Sequence, residues 1–229
     1  MTAEASPLRT PPVRSDNVGL WQFKWNGGSG RGPKASRIKG VQVIDVRPSR
    51  RMRDLGVVHA GILAEPTRVF DLPAGREETE RIVDELFAAI ERIGQVHPFA
   101  KGKGMGIAAP WIGIARSAAI VLPADDAPVV ILLDPRITDH SEETDEQYEG
   151  CLSFFDVRGL IPRPPKITVD ATALTGETTT TGYERGLARL SHHEIDHPDG
   201  LLHTARMLPE VDPIPVEEYR QTGRARAYE

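Results

Sequence analysis

Between Ser191 and Gly200 the chain reads Ser-His-His-Glu-Ile-Asp-His-Pro-Asp-Gly, and two of its histidines, His193 and His197, stand four residues apart. Positions i and i+4 share one face of an α-helix, so both imidazoles can address a single metal ion. Glu194 would sit beside that ion, close enough to take a proton from a water molecule the ion activates. The pattern points to metal-dependent hydrolysis. Its competitor is a polar helix face on which two histidines coincide, and the pentad alone does not separate the two. A catalytic zinc or iron usually has three protein ligands and one open position. The chain holds a single cysteine, Cys151, within Glu149-Gly-Cys-Leu-Ser153. A lone cysteine is more often a small buried hydrophobe than a ligand. Here it stands beside a glycine that permits close backbone approach, upstream of a histidine pair lacking a third donor, which makes it a candidate ligand. The rival reading is an isolated nucleophile with His193 or His197 as its base.

The elements that must carry these groups can be read from periodicity. Residues 183–190 are suited to the first half of the pentad helix, with Leu187 and Leu190 marking its buried stripe. Pro198 bars continuation and Asp199-Gly200 signals a turn. Residues 77–93 predict a second helix, whose apolar face is Ile82, Leu86, Ala89, Ile90 and Ile93, ending near Gly94. Residues 41–46, 117–122, 129–134 and 166–172 read as strands, and the alternation of Trp21, Phe23 and Trp25 suits a short strand or docking segment. Helices and strands do not alternate, which favours an α+β fold over a parallel α/β sheet.

The length of 229 residues allows one domain of about 150–170 residues with extensions. We divide the chain into a basic, Gly/Pro-rich extension over residues 1–40 and a domain over 41–229. No apolar run approaches the ~18 residues of a membrane span, and no signal-peptide core is found, so no membrane partner is expected. One cysteine excludes an intrachain disulfide and fits a reducing, cytoplasmic setting. The net charge of −5 is unevenly spread: residues 1–53 carry 11 basic and 3 acidic side chains, the remainder 17 basic and 30 acidic. A basic arm on an acidic body suits contact with RNA or an acidic partner without sequence-specific nucleic-acid recognition; the alternative is a solvated tail.

Three segments, Gly104-Met-Gly-Ile-Ala-Ala-Pro-Trp-Ile-Gly113, Glu149-Gly-Cys-Leu-Ser153 and His193-Glu-Ile-Asp-His197, resemble in order and spacing the three motifs of the peptide deformylases. Similarity extends through Arg158-Gly-Leu-Ile-Pro-Arg163 and Val216-Glu-Glu-Tyr-Arg-Gln-Thr-Gly223, covering about residues 55–223. The resemblance implies mostly antiparallel strands packed around a central metal-binding helix. It also implies an Fe(II) enzyme, with Zn, Ni or Co as alternatives, that removes the N-formyl group from N-formyl-methionyl peptides of nascent proteins. By the same resemblance Cys151, His193 and His197 are the metal ligands and Glu194 the general base and acid. The oxyanion donors are the backbone N–H of Leu152 and a glutamine side chain of the first motif. The backbone around Gly104 and Gly106 offers an edge along which the peptide pairs. Arg158 lies near the substrate, and Arg163 buttresses the cysteine loop by pairing with Glu149. The resemblance leaves the basic arm unexplained; the arm's charge alone suggests a ribosome contact near the emerging peptide.

The sequence departs from that pattern at four places. Trp111 stands where the glutamine is expected, as a candidate catalytic residue; either its one indole N–H recovers part of the oxyanion contact, or its greater bulk, with no acceptor, fills the pocket. His192 replaces the usual glutamine before the pentad. Pro198 replaces a leucine and disfavours helical geometry at His197, which could displace that ligand. Gly186, Arg189 and Leu190 occupy helix positions where apolar groups would suit methionine, and Arg189 is assigned to the substrate pocket, hinting at a more polar substrate. Two alternatives follow: a divergent deformylase or deacylase acting on a small molecule or modified peptide in specialised metabolism, and a metal-binding pseudo-enzyme with a binding role.

Overall fold

A computed structural model describes residues 13–14, 21–22, 61–96, 104–124, 127–152, 157–209 and 211–221. The strand expected at 41–46 and nearly all of the basic extension lie outside these residues. Within the extension, β1 (Val13–Arg14) pairs antiparallel with β2 (Trp21–Gln22). No helix among the described residues is long and apolar enough to cross a membrane.

The first helix, α1 (Arg76–Val96), matches expectation closely. Ile82, Leu86, Ala89, Ile90 and Ile93 are all buried, joined on the same face by Thr79 and Val83. Each large aliphatic side chain buried there contributes roughly 1.5–3 kcal/mol. Glu77 and Glu78 occupy the first turn, where carboxylates complement the helix dipole. This face packs on β3 (Met105–Ala108) and β4 (Ala118–Leu122). Those strands form an antiparallel sheet in the order β3-β4-β5, with β5 at Val130–Leu133. Central β4 is an unbroken apolar run buried from Ala118 to Val121, as a strand covered on both faces must be.

A second antiparallel sheet runs β10-β9-β6, with β6 at Arg136–His140, β9 at Lys166–Thr172 and β10 at Thr178–Glu184. Ile167 and Val169 of β9 point inward while their neighbours are half-buried or exposed, the period of two that made this strand legible. A third antiparallel sheet, β11-β8-β7, joins β7 (Asp145–Glu149), β8 (Val157–Arg163) and β11 (Ile214–Pro215). Gly159, Ile161 and Arg163 alternate inward along β8. A guanidinium is thereby delivered to the interior by the same periodicity that buries the isoleucine.

The pentad helix, α2 (Arg185–Asp196), packs against β3, β4, β9 and β10. It starts two residues later than expected. Tyr183 and Glu184 belong to β10, and Arg185, at φ 53°, makes the abrupt turn into the helix. The buried stripe also differs. Ala188, Ser191 and Ile195 are inside, whereas Leu187 and Leu190 are half-buried against the core's rim. A helix surrounded by strands needs small residues where the backbones approach most closely. A short third helix, α3 (Val216–Gln221), places Val216 and Tyr219 inward beside β8 and β11.

Candidate metal centre

One ligand atom each from Cys151, His193 and His197 lie within 4.8 Å of one another, the one such His/Cys/Asp/Glu group found among the described residues. Cys151 Sγ stands 3.6 Å from His197 Nε2. Cys151 follows the end of β7, and both histidines rise from the last turn of α2, so a strand end and a helix end converge on one point. The histidine rings meet edge to face, with centroids 4.9 Å apart. Burial pushes His197 well below the usual histidine range, and His193, His203 and Arg163 reinforce it; only a hydrogen bond with the Leu201 backbone opposes this, and weakly. A neutral imidazole is what ligation requires. One soft thiolate, two imidazoles and a buried carboxylate beside them are a donor set that fits a divalent transition ion.

The doubt raised by Pro198 is answered by the backbone. His197 keeps right-handed helical geometry, φ −67° and ψ −47°, as the capping residue of α2. The proline carbonyl accepts hydrogen bonds from both the N–H and the hydroxyl of Thr67, at 2.8 and 3.1 Å. Proline biases the preceding residue away from this geometry, and the contacts around the helix end override that bias.

His193 is aimed by a hydrogen bond. Its Nδ1 lies 2.9 Å from Glu149 Oε2, leaving the opposite ring nitrogen for an ion. Glu149 is in turn held by two guanidinium groups. Arg163 donates from Nε to Oε1 at 2.7 Å and from Nη2 to Oε2 at 3.0 Å, the pairing expected from sequence. Arg163 Nη1 also reaches Asp196 Oδ2 at 2.9 Å, and Arg206 Nη2 reaches Asp196 Oδ1 at 2.8 Å. Burial drives the Glu149 carboxyl upward, but Arg163 and His193 outweigh it and hold the group well below the usual carboxylate range.

The second guanidinium is Arg189, and this corrects its assignment to the substrate pocket. Arg189 is 4% exposed and donates from Nη1 to Glu149 Oε1 at 2.6 Å and to the Ile161 carbonyl at 3.1 Å. Its Nη2 donates to the Asp145 carbonyl. Arg189 and His193 lie one turn apart on α2 and grip opposite oxygens of one carboxylate. Desolvating a guanidinium is tolerable only when its donors are filled, and strands β7 and β8 supply the acceptors. The residue braces the ligand loop, and the argument from Arg189 for a more polar substrate falls away.

Glu194 is 5% exposed, and its Oε2 is buried with no hydrogen-bond partner among the described residues. Burial pushes its carboxyl up to about 7, against the opposing pull of His193 and Arg163. A base near neutrality with no competing donor on one oxygen is poised for proton transfer. Gly106 makes room for it. A Cβ there would lie 2.4 Å from Glu194 Cγ and 2.7 Å from Oε1. Gly104 is equally confined: a Cβ would stand 2.8 Å from the Leu122 carbonyl and 3.1 Å from Leu190 Cδ2. We therefore expect Gly106→Ala to displace the carboxylate and lower hydrolysis by about a hundredfold, the scale of a 1 Å misplacement. Steady-state turnover at wild-type level in a metal-replete Gly106→Ala protein would refute this.

The remaining sequence candidates fall around this core. Trp111 is 2% exposed in a 3-10 turn, Ala109–Ile112, closed by Gly113 at φ 83°. Its ring meets His197 edge to face at 5.0 Å. Leu152 follows Cys151 and is half-buried; residues 153–156 lie outside the described part. Arg158 lies on β8 with its guanidinium over Gly150, where a Cβ would come within 2.5 Å of Cζ. It donates from Nη1 to the Val157 carbonyl at 2.8 Å. His192 is half-buried, 3.8 Å from Asp196, and burial lowers it to about 4, so it contributes no charge at neutral pH. Asp196 and His203 were not singled out from sequence. The signal for Asp196 was present: a carboxylate between two inward-facing pentad residues, Ile195 and His197, has to find cations inside the protein. His203 lies on a separate 3-10 turn, His203–Arg206, with its ring 6.2 Å from that of His193, and no local pattern announces that approach.

With this geometry established, similarity to known proteins is informative. The family described as polypeptide deformylase matches residues 52–212. The chain is 33% identical over 165 residues to the peptide deformylase of Acidobacterium capsulatum, spanning 71% of this chain and 88% of that one. Among solved structures, a ligand-bound class I type b peptide deformylase from Acinetobacter baumannii superposes with a TM-score of 0.55 at 30% identity, covering 66% of this chain and 97% of that one. The same enzyme bound to Met-Ala-Ser gives a TM-score of 0.54 at 28% identity, covering 63% of this chain and 92% of that one.

Proposed function

The chain belongs to the peptide deformylase family, and on that footing we propose that it hydrolyses the N-formyl group of formyl-methionyl peptides at the Cys151, His193 and His197 centre. The observation that carries the reading is the convergence of one cysteine sulfur and two imidazoles, with a neighbouring buried Glu194 whose Oε2 has no hydrogen-bond partner among the described residues. Fe(II) is the ion we assign, because a donor set of one thiolate and two imidazoles suits it and the family resemblance implies it; Zn(II) suits the same donors. When bound, the ion supplies Lewis acidity, acidifying water and polarising the formyl carbonyl.

The chain's own residues then account for the proton and charge movements. Glu194 takes a proton from the attacking water as the oxygen adds to the formyl carbon. The developing oxyanion accepts a hydrogen bond from the backbone N–H of Leu152. Glu194 returns the proton to the amide nitrogen as the C–N bond breaks, giving formate and a free amino terminus. Glu149, Arg163 and Arg189 act earlier, by fixing the direction of His193. Strand β3 lies at the edge of its sheet among the described residues, so backbone around Gly104 and Gly106 can receive an extended peptide. Arg158, on β8 beyond the cysteine, is assigned to the substrate's flank.

The test is direct. Protein prepared anaerobically with Fe(II) should hold one equivalent of metal and release formate from a formyl-Met peptide. Stoichiometric metal without formate release would sink the substrate assignment and leave a metal protein of the same fold acting on another acyl group.

A further inference from the structure

His193 and His197 are ligands of the same kind on the same helix, yet they are oriented by different means. His193 Nδ1 is tied to Glu149 at 2.9 Å. His197 Nδ1 is buried and has no such carboxylate partner among the described residues; only the Leu201 backbone offers it a weak polar contact. His197 is also the capping residue of α2, directly before a proline, where the helical ladder ends. A ring in that position needs some other restraint if Nε2 is to stay on the ligand point beside Cys151.

The restraint in contact with it is aromatic. Trp111, at 2% exposure, stands edge to face with His197, 81° between planes and 5.0 Å between centroids. On another side His193 meets the same ring at 80° and 4.9 Å. His197 is thus caught between an indole and its fellow ligand, with Cys151 ahead of it. The indole is itself immobilised, because Pro110 stiffens the turn that bears it and the Gly113 N–H closes that turn on the Pro110 carbonyl at 3.1 Å. Fixed aromatic rings prefer this edge-to-face arrangement.

We propose that Trp111 is the positioning residue of His197, doing by ring packing what Glu149 does for His193 by hydrogen bond. The proposal rests on the metal-centre reading above. In this view the tryptophan is not simply a lost oxyanion donor. It restrains the ring of the ligand that closes the helix.

The decisive pair is Trp111→Phe, which keeps a ring, and Trp111→Leu, which keeps apolar bulk without one. Anaerobic Co(II) is the probe, its dissociation constant taken by chelator competition and its thiolate charge-transfer and ligand-field bands recorded for each protein. The phenylalanine variant should stay close to wild type. The leucine variant should bind Co(II) about 10–100-fold more weakly, the range seen when a residue supporting a ligand is removed, with altered bands. If both variants bind within twofold of wild type with unchanged spectra, Trp111 does not position the ligand, although the centre stands. The same holds if the phenylalanine variant loses as much affinity as the leucine variant. If wild-type protein fails to bind Co(II), both the proposal and the centre are overturned.

Discussion

Glu194→Gln is expected to lower formate release about a hundred- to ten-thousandfold while the protein keeps its full complement of metal. The separation of the two effects is what the geometry requires. Glu194 belongs to neither the ligand triad nor the ion-pair network, and its Oε2 has no hydrogen-bond partner among the described residues. Glutamine matches its shape, so packing against the Gly106 backbone survives and only the proton acceptor is lost. Metal content by atomic absorption and formate production should therefore diverge. If the glutamine protein retained even a tenth of the turnover, another group would have to move the proton, and the role assigned to Glu194 would be wrong.

The second large effect concerns stability. Arg163→Met should destabilise the metal-free protein by about 3–5 kcal/mol, because it strips two buried carboxylates of a shared cation. Arg163 is 1% exposed and makes three charged hydrogen bonds, two to Glu149 and one to Asp196. Methionine fills much of the space, so the loss reflects uncompensated charge more than a cavity. For a domain of this size the change corresponds to a melting point lower by roughly 6–20 °C. Urea unfolding without metal is the cleaner measurement, since ligand binding adds its own stabilisation. A loss below about 1 kcal/mol would mean that Arg189 and Arg206 take over both carboxylates.

Different parts of this molecule were readable from sequence to different degrees, for physical reasons. Helix α1 and strand β9 were legible because one buried face imposes its period over many residues. The Cys151, His193 and His197 cluster was legible in two parts: helix geometry fixes the histidine spacing, and the family resemblance singled out the cysteine. Arg189 was misread. Its position on α2 is local information, but its partners lie on β7 and β8, more than twenty residues away, and only the folded chain brings them together. The start of α2 was misplaced for a similar reason: residues 178–184 belong to β10 through pairing with β9, and Arg185 turns the chain at positive φ. Pro198 shows a local rule yielding to tertiary contact, with His197 still helical beside it.

The contact between Gly106 and Glu194 has an evolutionary reading. The two positions are 88 residues apart in the chain yet share one volume, with no space for a Cβ at 106 while a full-length carboxylate stands at 194. They therefore behave as a single inherited character. A descendant of this chain that acquires a side chain at 106 has to move or shorten its acid. An otherwise intact His-Glu-x-x-His signature in such a descendant would stand beside a displaced acid. The glycine and the acid thus form a constraint that the His-Glu-x-x-His spacing alone does not display.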